Sequence, residues 1–129
     1  MRLRPAVVCA LAAAAAAAPA AVAKPAPEPP SRLLVTAREF SLTLSRPKVE
    51  AGDAIVQLYD FGEDPHDLAL QRVGGPTIFT IPEIGPGETG SLSLRLRKAS
   101  RYRLWCSLPG HAEKGMFASL RTARKRSEG

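Results

Sequence analysis

A thiol, an imidazole and a thioether recur five positions apart in Tyr102-Arg-Leu-Trp-Cys-Ser-Leu-Pro-Gly-His-Ala-Glu-Lys-Gly-Met116, at Cys106, His111 and Met116. The intervals are too short for a separate packed element. The stretch therefore reads as a strand end, a ligand loop and the start of the next strand. A fourth candidate, His66, lies upstream in Gly62-Glu-Asp-Pro-His-Asp-Leu-Ala-Leu70. One thiolate, two imidazoles and a long axial thioether are the ligands of a blue-copper electron-transfer site. Each side chain alone has an ordinary reading: a loop histidine on the surface, a methionine in a core, a histidine beside a glycine in a turn. Together they use both histidines of the chain and its only methionine besides Met1.

The chemistry explains the choice. Imidazole suits both Cu(II) and Cu(I), sulfur favours Cu(I), and a fixed trigonal set with a weak axial sulfur keeps Cu(II) from the tetragonal geometry it would choose. Cys106 would bind as the thiolate, its pKa lowered by the cation. Pro109, Gly110 and Gly115 supply turns within the loop.

The ends of the chain are expected to lie outside the domain. Met1-Arg-Leu-Arg4 is basic, an unbroken apolar run follows from Ala6 to Ala18, and Ala21-Val-Ala23 has the pattern of a cleavage site. This reads as a secretory signal peptide over 1–23, the run being shorter than the roughly 20 residues a membrane span requires. An uncleaved anchor is the alternative. Cys9 falls inside the apolar run, so cleavage after Ala23 leaves Cys106 as the single cysteine in a compartment that favours disulfides. Four prolines between Lys24 and Ser31 predict an extended spacer over 24–31. Residues 123–129 read as a basic disordered tail.

Between these ends, apolar residues alternate at Leu33 and Val35, at Phe40, Leu42 and Leu44, through Ser91-Leu-Ser-Leu-Arg-Leu-Arg97, and at Tyr102, Leu104 and Cys106. A period of two marks strands with one buried face. It aims Tyr102, Leu104 and Cys106 inward and Trp105 outward. Seven or eight short strands, with Ser45–Val49 and Pro82–Gly90 as turns and loops, predict an all-β antiparallel sandwich or barrel over residues 32–122. The net charge of +6 is concentrated at the two ends, so the body is nearly neutral. Basic and aromatic residues do not interleave as a nucleic-acid surface requires, and no nucleic-acid partner is expected.

The segment from Arg32 to Thr122 resembles the cupredoxin family, in particular the small plastocyanin- and azurin-like blue copper proteins. Glu63-Asp-Pro-His-Asp-Leu68 and Tyr102-x-Leu-Trp-Cys-Ser-Leu-Pro-Gly-His-x4-Gly-Met116 carry the likeness. The resemblance implies a Greek-key β-sandwich with the metal at one end, and one type 1 copper ion, cycling between Cu(I) and Cu(II), on His66, Cys106, His111 and Met116. It implies that the Asp67 backbone N–H donates to the Cys106 sulfur. Where many relatives carry asparagine this chain has Asp60, which can still cap a turn but adds negative charge near the metal.

Three functions follow from such a site. The first is electron transfer through His111 to a redox partner, a cytochrome or a copper oxidase, in the periplasm or medium, by a monomer with no membrane span once the signal is removed. The second is copper delivery without redox turnover; one methionine and two histidines favour a closed electron-transfer site over it. The third, a copper enzyme, would need histidines beyond the two already used, and none is left as a general base. The reading is of a non-enzyme.

Overall fold

The computed structural model describes residues 2–124; Lys125 to Gly129, most of the basic tail expected from the sequence, lie outside the described residues. Residues 2–30 form neither helix nor strand and are exposed up to Pro29, and no helix among the described residues is long and apolar enough to cross a membrane. The rest is all-β. Nine strands follow in order: β1 (Ser31–Arg38), β2 (Ser41–Leu44), β3 (Lys48–Val49), β4 (Gly52–Asp60), β5 (His66–Arg72), β6 (Ile78–Ile84), β7 (Thr89–Leu96), β8 (Arg101–Trp105) and β9 (Phe117–Thr122).

Two sheets, ordered β2-β1-β4-β7 and β3-β9-β8-β5-β6, enclose one core. The expected sandwich forms, but it is mixed: β1 pairs with β4, and β3 with β9, in parallel. Residues 39–51 leave β1 as a hairpin, visit the second sheet as β3 and return on the other flank of β1. An even number of reversals brings β4 in parallel, and a parallel neighbour needs a crossover of about this length.

Two strands exceed the sequence reading. β3 lies in a stretch that reads as a turn, and β6 runs on through Pro82 and Glu83. Proline is tolerated there because β6 is the edge of its sheet and its register against β5 shifts between His66 and Leu68.

The alternation of inward residues positions the site. Ala54, Val56 and Leu58 on β4 are buried, and the same row ends in Asp60; on β8, Tyr102 and Leu104 lead to Cys106; on β5 the row starts at His66 and continues through Leu68 and Leu70. The parallel register sets Ala37 opposite Asp60, which carries Glu39, two residues on, to the same end. Polar side chains and the candidate ligands thus collect where the apolar rows stop. Trp105 faces away and is only half-buried, as the alternation requires.

At the opposite end, the buried Tyr102 hydroxyl accepts the Arg97 backbone N–H at 2.8 Å. Tyr102→Phe leaves that N–H without its acceptor and should lower stability by about 1–3 kcal/mol, read from the urea midpoint at unchanged slope.

Candidate metal centre

Three of the four residues singled out by type and spacing, His66, Cys106 and His111, converge through their side chains, and the buried Met116 is joined to Cys106 and His111 through the backbone. His66 Nδ1 lies 3.3 Å from His111 Nδ1, and Cys106 Sγ lies 3.6 Å from the same nitrogen. His66, Cys106 and Met116 are fully buried, and His111 is half-buried. The donor atoms of His66, Cys106 and His111 all lie within 4.8 Å of one another. A first-row ion with bonds of about 2.0 Å to nitrogen and about 2.3 Å to thiolate, at angles between tetrahedral and trigonal, spans edges of roughly 3.3–3.7 Å. The observed separations match those edges. The two imidazoles and the thiol, with the buried Met116 hydrogen-bonded to Cys106 through the backbone, fit copper in chemistry as well as size.

The ligand loop is held at both ends. The Cys106 N–H donates to the Met116 carbonyl at 3.1 Å, and the Met116 N–H returns to the His111 carbonyl at 3.1 Å. His111 N–H donates to the Leu108 carbonyl at 3.1 Å, closing a turn around Pro109 and Gly110, the latter at φ +80°. Gly115 has φ +122°, and a Cβ there would stand 2.9 Å from the Phe40 carbonyl oxygen, so neither the conformation nor the space admits a side chain. Phe40, which alternation counts as a core residue of β2, instead lies in the preceding turn with its ring 5.2 Å from His111, edge to face. Lys114 Nζ lies 4.5 Å from the same ring. Ser107 donates to Asp67 from its backbone N–H at 2.6 Å and from its hydroxyl, tying the loop to β5.

Burial pushes the Cys106 thiol above its ordinary value of 9.0, opposed by the backbone N–H groups of Asp67 and Leu108, while the Asp67 carboxylate adds to the rise. A protonated thiol must lose its proton to bind a cation, so uptake of metal is coupled to pH.

A group absent from the sequence reading completes the site. Glu39 Oε1 lies 2.8 Å from His66 Nε2, the ring nitrogen turned away from Cys106 and His111. The same carboxylate accepts the Asp64 N–H at 2.8 Å and the Glu63 N–H at 3.0 Å. Asp60, fully buried, approaches His66 Nε2 at 4.0 Å through Oδ1, which also accepts the Gly62 N–H at 2.9 Å. Its other oxygen, Oδ2, has no hydrogen-bond partner among the described residues. Asp60 thus caps its turn and adds a carboxyl group near the site, both as expected. Glu39 stands 27 positions from His66 and carries no local signal. Only the parallel β1–β4 register brings it there.

The backbone N–H groups of Asp64 and Glu63, with His66, hold the Glu39 carboxyl down at about 2 from 4.5. A group whose pKa is depressed by folding contributes stability above its unfolded value and loses it as pH falls towards the folded one. Stability should therefore decline between about pH 4.5 and pH 2. Glu39→Gln is expected to flatten that part of a urea-midpoint series; an unchanged acid slope would show that the contacts contribute nothing.

Searches by sequence find no matching family model and no matching curated protein. Solved structures do match. Auracyanin B superposes with a TM-score of 0.60 at 18% identity over 76% of this chain and 93% of its own. A dithionite-reduced auracyanin from the photosynthetic bacterium Roseiflexus castenholzii gives 0.59 at 16% identity, over 71% and 96%. Auracyanin A, described as a "blue" copper protein from the green thermophilic photosynthetic bacterium Chloroflexus aurantiacus, gives 0.57 at 14% identity, over 73% and 99%. With these neighbours the two-sheet sandwich is a cupredoxin-like fold.

Proposed function

We propose that this protein carries single electrons between redox partners outside the cytoplasm through one type 1 copper ion held by His66, Cys106, His111 and Met116. The observation that carries the proposal is the facing of His66 Nδ1, His111 Nδ1 and Cys106 Sγ at 3.3 and 3.6 Å beside the buried Met116. Copper bound there would supply a one-electron Cu(II)/Cu(I) couple. The protein does the rest. The hydrogen bonds from Ser107 to Asp67 and from Cys106 to Met116 fix the ligand loop on the sandwich, so the donors have little room to move when the charge of the centre changes. His66, Cys106 and Met116 exclude water, while the half-buried His111, with the half-buried Leu108 beside it, offers a partner the shortest way in. Small interfaces suffice for such weak redox encounters.

The basic and apolar start of the chain, with Ala21-Val-Ala23 after it, supports export and cleavage after Ala23. Auracyanin A, of similar fold, is described as a "blue" copper protein, in keeping with this reading. A carrier is favoured over an enzyme because both histidines lie at the one site. It is favoured over a copper-delivery protein because three of the four candidate ligands are wholly enclosed, whereas delivery requires an accessible ion. Voltammetry of the copper-loaded protein should give a reversible one-electron wave. An irreversible wave, or copper lost on reduction, would favour delivery instead.

A further inference from the structure

The far side of the His66 ring has its own carboxylate. We infer that Glu39 is a positioning residue of this centre: by accepting the Nε2–H of His66 it fixes the tautomer that presents Nδ1 to the other ligands, and its negative charge favours the oxidised over the reduced ion. The inference rests on the copper-carrier reading for its second half alone.

Three observations carry it. The Glu39 Oε1 to His66 Nε2 distance of 2.8 Å is that of a charge-assisted hydrogen bond, and the opposite ring nitrogen faces His111 at 3.3 Å. With Nε2 carrying the proton, Nδ1 is left with a free lone pair. Secondly, the carboxylate is seated. The backbone N–H groups of Glu63 and Asp64 donate to it, and it fills the space beside Gly62, where any Cβ would overlap both its oxygens. The absence of a side chain at position 62 is thus a requirement of this contact. Thirdly, His66 and Asp60 are fully buried and the Asp60 carboxyl approaches the same nitrogen at 4.0 Å, so the ring that links the partly exposed Glu39 carboxylate to the centre is itself shielded from water.

Histidine ligands usually donate their second N–H to an outer partner, and removing such a partner costs about 10–100-fold in metal affinity. A carboxylate adds charge to orientation. It makes the imidazole a stronger donor, and the gain is larger for the more highly charged ion.

The test compares wild type, Glu39→Gln and Asp53→Asn. The glutamine keeps an acceptor oxygen while removing the charge; Asp53, at the start of β4, removes the same charge from the other end of the strand from Asp60. In the copper-free protein, long-range nitrogen–proton NMR should find His66 as the Nε2–H tautomer in wild type and in Glu39→Gln. In the copper-loaded protein, Glu39→Gln should lower the Cu(II) to Cu(I) affinity ratio about tenfold, an upward shift of about 59 mV in a one-electron potential. Asp53→Asn should leave the potential unchanged. The proposal is overturned by an Nδ1–H tautomer in wild type, by an unchanged potential in blue Glu39→Gln, or by equal shifts in both variants. It is also overturned if wild type takes up a second equivalent of Cu(II) that Glu39→Gln does not, since Glu39 would then be a ligand. Failure of wild type to bind copper would instead defeat the carrier reading and with it the effect on the potential, whereas an unchanged potential in a blue variant defeats this inference alone.

Discussion

Cys106→Ser is expected to weaken copper binding by well over the roughly 100-fold that loss of an outer hydrogen-bond partner can cost. The thiol is fully buried at the end of β8, within 3.6 Å of His111 Nδ1. Serine is nearly isosteric, so the sandwich should persist, but its hydroxyl is not a soft donor and stays protonated at neutral pH. The effect should be largest for Cu(I), which depends most on sulfur. Competition against a chromophoric Cu(I) chelator measures it. An affinity equal to that of wild type would mean that Cys106 is a small core residue and that the ion, if any, binds elsewhere.

Leu104→Ala should cost about 2–5 kcal/mol, because the side chain has no exposed surface and the cavity left behind has little means of collapsing. Leu104 stands between Tyr102 and Cys106 on the inward face of β8, opposite Leu70 of β5 and Ala118 of β9. For a domain of this size the melting temperature should fall by roughly 10–30 °C, read by far-ultraviolet circular dichroism on the copper-free protein. The loss should be partly recovered on adding copper, since a ligand that binds only the folded state stabilises it by mass action. A small loss would place Leu104 in a looser environment than the closed β5–β8–β9 sheet implies.

The candidate ligands were legible because three of them belong to one short loop whose residue types are rare in this chain, and because the alternation along β8 aims Cys106 inward. His66 was legible by elimination, as the remaining imidazole in a Pro-His loop between apolar runs. Other features were written at longer range. Glu39 reaches His66 through the register of two parallel strands, and nothing within a few residues of either announces it. Phe40 continues the alternation of β2 on paper, yet it belongs to the turn and packs on His111. The parallel pairs β1–β4 and β3–β9 depend on which sheet each connection visits, which periodicity does not encode. The two-residue β3 has too little pattern to be read at all, and Pro82 in β6 reads as a breaker because an edge position is not visible from composition.

The central claim is that His66, Cys106, His111 and Met116 hold one copper ion through a buried thiolate. A Cu(II) titration of the copper-free protein, followed by visible absorption, tests it most directly. The account predicts an intense blue thiolate-to-copper band that saturates at one equivalent. A colourless or weakly coloured complex, or a band that fails to saturate at one equivalent, would contradict it.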